Sequence, residues 1–179
     1  NELGLKLPGG FTARVIARSG ATVAGTSYAW HAAPDGAASF PTDDGGWIYV
    51  SNSEVNLIGG VSAIRFDADG KITRAYSILA NTKRNCAGSA TPWQTWLSCE
   101  EVDDGIVWEC DPFGKLSPRA WPALGRFSHE AIALDSLHQQ IYLSEDKPDG
   151  CLYRFTPKTL TPEGFADFTS GTLEVAVRN

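Results

Sequence analysis

Residues 48–54 read Ile-Tyr-Val-Ser-Asn-Ser-Glu, and the same pattern returns twice further along the chain. Residues 95–101 read Thr-Trp-Leu-Ser-Cys-Glu-Glu, and residues 141–146 read Ile-Tyr-Leu-Ser-Glu-Asp. Each copy places an apolar run with one aromatic residue before a serine and polar or acidic residues. The serines of the three copies lie 47 and 46 residues apart. Self-similarity at this spacing indicates tandem supersecondary units.

A second alternating segment follows each copy of this pattern. These segments begin at Gly60, Gly105 and Gly150, which are 45 residues apart. Apolar and polar residues alternate in several of these runs, and turn-forming residues at 67–70 and 112–115 separate them. Such alternation between turn signals is typical of β-strands.

Four short strands in a repeat of about forty-five residues correspond to one blade of a β-propeller. We therefore predict an all-β fold, a partial β-propeller domain over residues 1–179 with about three four-stranded blades. The expected blades cover residues 30–79, 80–124 and 125–178, and an outer strand at residues 11–18 belongs to a neighbouring blade. A β-sandwich with coincidental spacing is the alternative, and the agreement of several registers favours the propeller.

The number of blades is lower than a closed ring requires. Closed propellers typically have four to eight blades, and three blades leave two open edges that invite pairing. We expect this chain to form half of a roughly six-bladed propeller. The second half would come from another chain, a second copy or a missing C-terminal segment.

Composition excludes several functional classes. Among 179 residues, 42% are hydrophobic and 20% are charged, which argues against a disordered chain. A net charge of -6 without a basic stripe argues against nucleic acid as a partner. No run of eighteen apolar residues occurs, so we expect no membrane span. The four cysteines fit neither a dense disulfide scaffold nor a metal knuckle.

Candidate metal ligands fall at equivalent places in the repeats. The inner strand of a blade faces the central channel, and aligning the repeats brings Asp35, Cys86 and Glu130 to one position there. A second group follows the second strands and contains Asn52, Glu54, Glu100, Glu101, Glu145 and Asp146. Carboxylate and amide oxygens suit Ca²⁺, whereas a thiolate suggests iron or zinc.

Each candidate also has a purely structural interpretation. The acidic residues can be solvated turn residues, and Cys86 can be a buried packing thiol. His129 can be a further ligand or a proton donor, or a hydrogen-bonded structural histidine. Lys83 and Arg84 can bind an anionic substrate or belong to a solvated loop.

Longer motifs carry a family resemblance. Residues 84–101, RNCAGSATPWQTWLSCEE, resemble the signature of the PhoX-type alkaline phosphatases. The segments at residues 45–54, 125–131 and 142–150 support this similarity, which runs from about Leu7 to the C-terminus. The resemblance implies a bacterial β-propeller, periplasmic or secreted and usually exported by the twin-arginine route. It also implies hydrolysis of phosphate monoesters with iron and calcium at the channel.

Carried over by motif, Cys86 resembles the iron thiolate ligand, and Glu130 resembles an iron or bridging carboxylate. Both are expected to be catalytic, with His129 beside them, and Lys83 and Arg84 are expected to contact the substrate. The less certain metal ligands implied in this way are Glu54, Glu100, Glu101 and Glu145.

The sequence departs from the family pattern in two ways, and two rival functions fit the same residues. Ser89 and Gln94 replace glycines that the pattern predicts, and the chain stops where the family continues for about as many blades again. A calcium-dependent lactonase would use similar ligands. A non-catalytic half propeller that binds metal only for stability is the other alternative, and the isolated half can be inactive.

Overall fold

The chain folds into three antiparallel four-stranded sheets, seen in a computed structural model that describes residues 3–177. The first sheet contains β1 (Pro34–Pro41), β2 (Trp47–Ser53), β3 (Gly59–Phe66) and β4 (Ile72–Thr82). The second contains β5 (Asn85–Ala90), β6 (Trp96–Glu100), β7 (Val107–Cys110) and β8 (Arg119–Ala120). The third contains β9 (His129–Asp135), β10 (Gln140–Glu145), β11 (Leu152–Pro157) and β12 (Gly171–Val175). The prediction of an all-β fold with three four-stranded sheets is confirmed.

Helical structure is limited to one turn. Among residues 3–177 only Pro122–Leu124 form a 3₁₀ helix, and none form an α-helix. Within the same described range, no helix has the length and apolar character needed to span a membrane.

Aspartate-based turns connect the third and fourth strands. Asp67 Oδ1 accepts the N–H groups of Asp69 at 3.1 Å and Lys71 at 2.9 Å, and Gly70 adopts a φ of 76°. Asp111 accepts backbone N–H groups in the same way in the second sheet. An aspartate that bonds the backbone two residues on favours a turn, which explains why these segments separate strands.

The three sheets pack face to face in a propeller-like arrangement. β5 lies between β1 and β9, so the first strands of the sheets are side by side. Phe40, Val50 and Trp96 are buried between the first two sheets. Leu97 and Phe155 are buried between the second and third. Burying each such large apolar side chain contributes roughly 1.5–3 kcal/mol, so these two cores fix how the sheets stack.

The segment at residues 11–18, expected as the outer strand of a neighbouring blade, pairs with no strand among residues 3–177. Arg14 instead donates a hydrogen bond to the Gly70 carbonyl. Val23 and Trp30, further along, pack with Ile64 on the outer face of the first sheet. A strand requires a hydrogen-bonded neighbour as well as alternating residues, and the sequence pattern alone does not show whether that neighbour exists.

The boundaries of the three sheets lie within a few residues of the expected blade boundaries. The sheets occupy residues 34–82, 85–120 and 129–175, whereas the expected blades covered 30–79, 80–124 and 125–178. Residue 178 lies outside the described residues.

Candidate metal centre

Each first strand contains a β-bulge at its candidate ligand. The register of β1 against β2 shifts around Asp35, and that of β5 against β6 shifts around Cys86. The register of β9 against β10 shifts around Glu130. A bulge leaves one residue outside the regular ladder and re-aims its side chain. Because the irregularity recurs in all three strands, three non-identical side chains turn toward the same place.

The three bulge residues meet at the Cys86 thiol. Cys86 Sγ lies 3.5 Å from Asp35 Oδ2 and 3.4 Å from Glu130 Oε2. Each residue comes from a different sheet, so packing of the three sheets assembles the cluster. The structure therefore brings together the three residues that the repeat alignment had placed at one position.

Gly36 permits the close approach of β1 and β5. A Cβ atom at this position would lie 2.7 Å from Ala87 Cα and 2.8 Å from the Cys86 carbonyl oxygen. Both distances are shorter than carbon side chains tolerate, and both involve backbone atoms that cannot easily move. Glycine at 36 is therefore needed to hold Asp35 beside the thiol.

Glu101 is the fourth member of the cluster. Cys86, Glu101 and Glu130 each offer one ligand atom, and these three atoms lie within 4.8 Å of one another. Glu101 follows β6, whereas the other two residues lie in first strands. A thiol and two carboxylates at this separation form a candidate metal-binding group.

Arg84 joins two carboxylates at the edge of the cluster. Its Nη2 donates to Glu54 Oε1 at 2.5 Å and to Glu101 Oε2 at 2.9 Å. The hydrogen bond from Arg84 lowers the pKa of Glu54. Burial, together with a hydrogen bond to Glu54, raises the pKa of Glu101 to about 7. Glu101 thus retains its proton more readily than an isolated carboxyl group, as expected of an acid crowded against another acid, whereas Glu54 loses its proton more readily.

The surroundings of Cys86 disfavour its thiolate. Burial raises the pKa of Cys86, and the hydrogen bond with Glu130 and the charge of Asp35 raise it further. A bound cation reverses this balance because it stabilises a thiolate and adjacent carboxylates together. One sulfur and several oxygen donors fit an iron ion flanked by oxygen-preferring Ca²⁺.

Three acidic residues occupy equivalent positions after the second strands: Glu54, Glu101 and Asp146. Each donates its backbone N–H to the carbonyl two residues before the bulge residue of its own sheet, at 2.9, 2.9 and 3.1 Å. The family resemblance implied Glu145 as the metal ligand of the third repeat. The backbone register instead places the exposed Asp146 in line with Glu54 and Glu101.

Glu100 and Glu145 occupy a different pair of equivalent positions. Glu100 accepts the N–H of Lys83 at 2.9 Å and that of Ile106 at 3.2 Å. Glu145 similarly accepts the N–H of Cys151 at 3.3 Å. Both carboxylates therefore hold the loops that follow their strands, and the structure does not bring them into the thiol cluster.

The structure places His129 and Lys83 outside the cluster as well. His129 is fully buried, its ring centroid lies 3.7 Å from that of Phe127, and its Nε2 is 3.3 Å from the Gly125 carbonyl. Burial lowers the pKa of His129 to about 4, so the imidazole is neutral at pH 7. Lys83 Nζ pairs with Asp104 at 3.1 Å.

Asn52 has a role that the sequence did not indicate. We expected it to offer an amide oxygen to a cation, but its Oδ1 accepts hydrogen bonds from Trp96 and Ser98. The side chain lies in β2 and reaches the backbone of β5. Its partners are more than thirty residues away, and no local pattern reveals such contacts.

The two substituted glycine positions keep ordinary strand and turn geometry. Gln94 adopts a φ of 65° in the turn before β6, a conformation that glycine takes at Gly45 in the first sheet with a φ of 79°. Ser89 pairs with Leu97 across β5 and β6. A left-handed conformation costs a residue with a side chain roughly 1–2 kcal/mol, and the turn is retained despite this cost.

Fold and site together define a class: an all-β protein of propeller-like architecture in which neighbouring sheets combine a thiol with carboxylates. The family model described as alkaline phosphatase PhoX matches residues 48–109 and 103–178. These segments cover most of the chain, and the chain therefore belongs to the PhoX alkaline phosphatase family. No curated protein matches the chain.

Proposed function

We propose that the cluster around Cys86 is the metal centre of a phosphate monoester hydrolase. The observation that carries this proposal is the convergence of Cys86, Glu101 and Glu130 within 4.8 Å, in a chain of the PhoX family. A family of phosphatases makes a phosphate ester the expected substrate. The metal ions and their number belong to the proposal.

Iron would be held by Cys86, Glu101 and Glu130, because the single thiolate favours a softer or redox-active ion. Asp35 and Glu54 adjoin these ligands and offer oxygen atoms suited to calcium. Bound cations of this kind act as Lewis acids toward phosphoryl oxygens and lower the pKa of coordinated water.

The residues of the chain would hold the metal ligands in place and supply a positive charge for the phosphate. The bulges hold three ligands from separate sheets, so substrate and ions would meet on a surface that the packed cores keep rigid. Arg84 has a side chain that is 42% exposed while it bonds Glu54 and Glu101. A guanidinium has five N–H donors in a fixed fork, so Arg84 can also meet a phosphate oxygen at the edge of the cluster.

Lys83 contributes less directly to this proposal. Its ammonium group pairs with Asp104, and both side chains are well exposed. An exposed pair of this kind contributes little to stability and separates easily. Lys83 therefore belongs to the outer boundary of the site, where it attracts anionic substrates.

Export and assembly also belong to the proposal. We place the protein in the periplasm or outside the cell, as family membership suggests. Further blades, from another chain, a second copy or a C-terminal continuation, would pack on the outer face of the third sheet and beyond the segment that covers the outer face of the first sheet. The assay below therefore uses the protein assembled with its native partners.

The test compares Cys86→Ala with Cys151→Ala. Cys151 is also a free cysteine but lies immediately before β11, away from the cluster. We expect elemental analysis to show that Cys86→Ala has lost bound iron. Its rate of p-nitrophenyl phosphate hydrolysis should fall by more than the roughly 10–100-fold that is typical when a residue behind a metal ligand is changed. Cys151→Ala should retain both.

Full phosphatase turnover by Cys86→Ala would refute the proposed centre. Turnover of lactones without phosphatase activity in the wild-type protein would instead support a lactonase. If the protein binds calcium but no iron and cleaves neither phosphate esters nor lactones, the metal contributes to stability alone.

A further inference from the structure

Asn52 uses all the hydrogen-bonding capacity of its side chain while fully buried. Its Nδ2 donates to the Cys86 carbonyl at 2.6 Å and to the Ala87 carbonyl at 3.0 Å. Its Oδ1 accepts from Trp96 Nε1 at 2.8 Å and from Ser98 Oγ at 2.9 Å. An amide side chain has two donor hydrogens and two acceptor lone pairs, so every position is filled.

The two carbonyl groups that Asn52 binds belong to the bulge that carries the thiol. The ladder between β5 and β6 is irregular from Asn85 to Gly88, and Cys86 and Ala87 lie inside this interval. A bulge disrupts the ladder hydrogen bonds of its residues. The Asn52 amide, from the neighbouring sheet, supplies donors to this interrupted stretch of backbone.

The orientation of the amide is set by a chain of hydrogen bonds. Thr82 Oγ donates to Asn85 Oδ1 at 2.6 Å, and Asn85 Nδ2 donates to Ser98 Oγ at 3.0 Å. Ser98 then donates to Asn52 Oδ1. Each donor faces an acceptor, which leaves the Asn52 amide nitrogen directed at β5. Buried networks in which every member is satisfied hold one arrangement strongly.

This contact is not a general feature of the repeat. The equivalent positions in the second and third sheets hold Cys99 and Ser144. Cys99 is fully buried, and Ser144 Oγ accepts the N–H of Ala131 within its own sheet. The amide contact between neighbouring sheets therefore coincides with the one bulge that carries a thiol.

We propose that Asn52 is a positioning residue for Cys86, which fixes the bulge so that the thiol faces Asp35 and Glu130. The expected effect of Asn52 on metal binding rests on the proposed function. The expected effect of Asn52 on the position of the thiol is independent of any metal, because its hydrogen bonds act on the protein backbone.

The first experiment measures the alkylation rate of Cys86 by iodoacetamide in the assembled, metal-stripped protein. Cys151→Ala serves as the background, and peptide mass spectrometry follows Cys86. Asn52→Asp keeps an acceptor for Trp96 and Ser98 but removes the donors to the bulge. We expect alkylation to accelerate roughly tenfold to a hundredfold when these buried hydrogen bonds are lost.

Asn85→Asp is the matched control. Asn85 and Asn52 are both fully buried in one network, but the Asn85 side chain bonds Thr82 and Ser98 rather than the bulge carbonyls. Equal acceleration in the two variants would overturn the proposal, because loosening of the whole network would then explain it. If Asn52→Asp fails to fold, the uncharged Asn52→Ser replaces it, and an unchanged alkylation rate in that variant would also overturn the proposal.

The second experiment separates this inference from the metal centre. Cobalt(II) is titrated into the same proteins while the sulfur-to-metal absorption band is recorded. We expect Asn52→Asp to weaken cobalt binding roughly 10–100-fold, as changes behind a ligand typically do, and Asn85→Asp to weaken it less. Absence of the band in the wild-type protein would contradict the proposed centre, whereas the alkylation rates would still decide the role of Asn52.

Discussion

The two interfaces between sheets differ in chemistry at their inner ends. Between the first and second sheets, Asn52 bonds the backbone at Cys86 and the side chains of Trp96 and Ser98. Between the second and third sheets, Cys99 takes the equivalent position beside apolar residues such as Phe155. The first interface thus adds a buried amide contact to its apolar core. At the second interface the position equivalent to Asn52 is apolar, and the polar contact there is that of Glu130 with Cys86.

This difference suggests that the two interfaces contribute differently to the stability of the fold and to the position of the Cys86 thiol. Apolar burial is proportional to area and has no direction, so it holds two sheets together without fixing one backbone atom. Hydrogen bonds have narrow distances and angles, so four of them on one amide define a local geometry. We infer that the second interface contributes more to unfolding free energy, and that the first determines where the thiol points.

Removal of a large side chain from the second interface should have the largest effect on stability. Phe155 is fully buried there, and we expect Phe155→Ala to lower the unfolding free energy by about 3–5 kcal/mol. Chemical denaturation measures this loss. Leu152→Ala, on the same strand at a side chain that is 52% exposed, should change stability by less than about 0.5 kcal/mol.

The same variant sharpens the contrast between the interfaces. Under conditions where Phe155→Ala remains folded, Cys86 should react with iodoacetamide at nearly the wild-type rate. A strong acceleration without global unfolding would show that the apolar interface also positions the thiol, and the contrast drawn above would fail.

A smaller effect should appear as a pH dependence on the outer face of the first sheet, where His31 packs beside Trp30. His31 Nδ1 lies 2.7 Å from Ser62 Oγ, and its Nε2 lies 3.3 Å from the hydroxyl of Ser51, which precedes Asn52. Burial lowers the pKa of His31 below its ordinary value of 6.5. Above pH 6.5 the imidazole is neutral in both folded and unfolded protein, so its contribution is constant there.

As the pH falls through 6.5 toward the lower folded pKa, the unfolded chain binds a proton that the folded chain resists, and stability decreases. The difference in unfolding free energy between wild type and His31→Gln should therefore change between pH 7 and pH 5, with the wild type losing more. Parallel curves for the two proteins would show that His31 has no linked titration.

The repeat predicted which residues meet at the inner ends of the sheets, because β-structure fixes equivalent positions. First strands of three similar sheets place Asp35, Cys86 and Glu130 at the same level, so aligning the repeats, with hairpins of different length allowed, reached all three. Alternation along a strand also places neighbouring side chains on opposite faces. That rule could have shown that only one of Glu100 and Glu101 reaches the cluster.

Other features depended on contacts that a local pattern does not contain. The repeat pattern placed both Glu145 and Asp146 after the third copy's strand, and the family resemblance implied Glu145 as the ligand. Residue identity does not show which backbone groups are bonded, so it could not show that Asp146 occupies the position equivalent to Glu54 and Glu101. The segment at residues 11–18 reads as a strand, but no strand within the described part of the chain pairs with it. Asn52 depends on residues from another sheet, which only the folded chain brings together.

Location of a bound metal tests the central claim most directly. Anomalous diffraction from crystals of the assembled protein grown with iron should place the ion about 2.3 Å from Cys86 Sγ, a usual metal–thiolate distance. Carboxylate oxygens of Glu101 and Glu130 should complete the contacts, while Glu100 and Glu145 remain on their backbone partners. An iron ion bound by Glu100 or Glu145, with Cys86 uncoordinated in an active protein, would contradict the account.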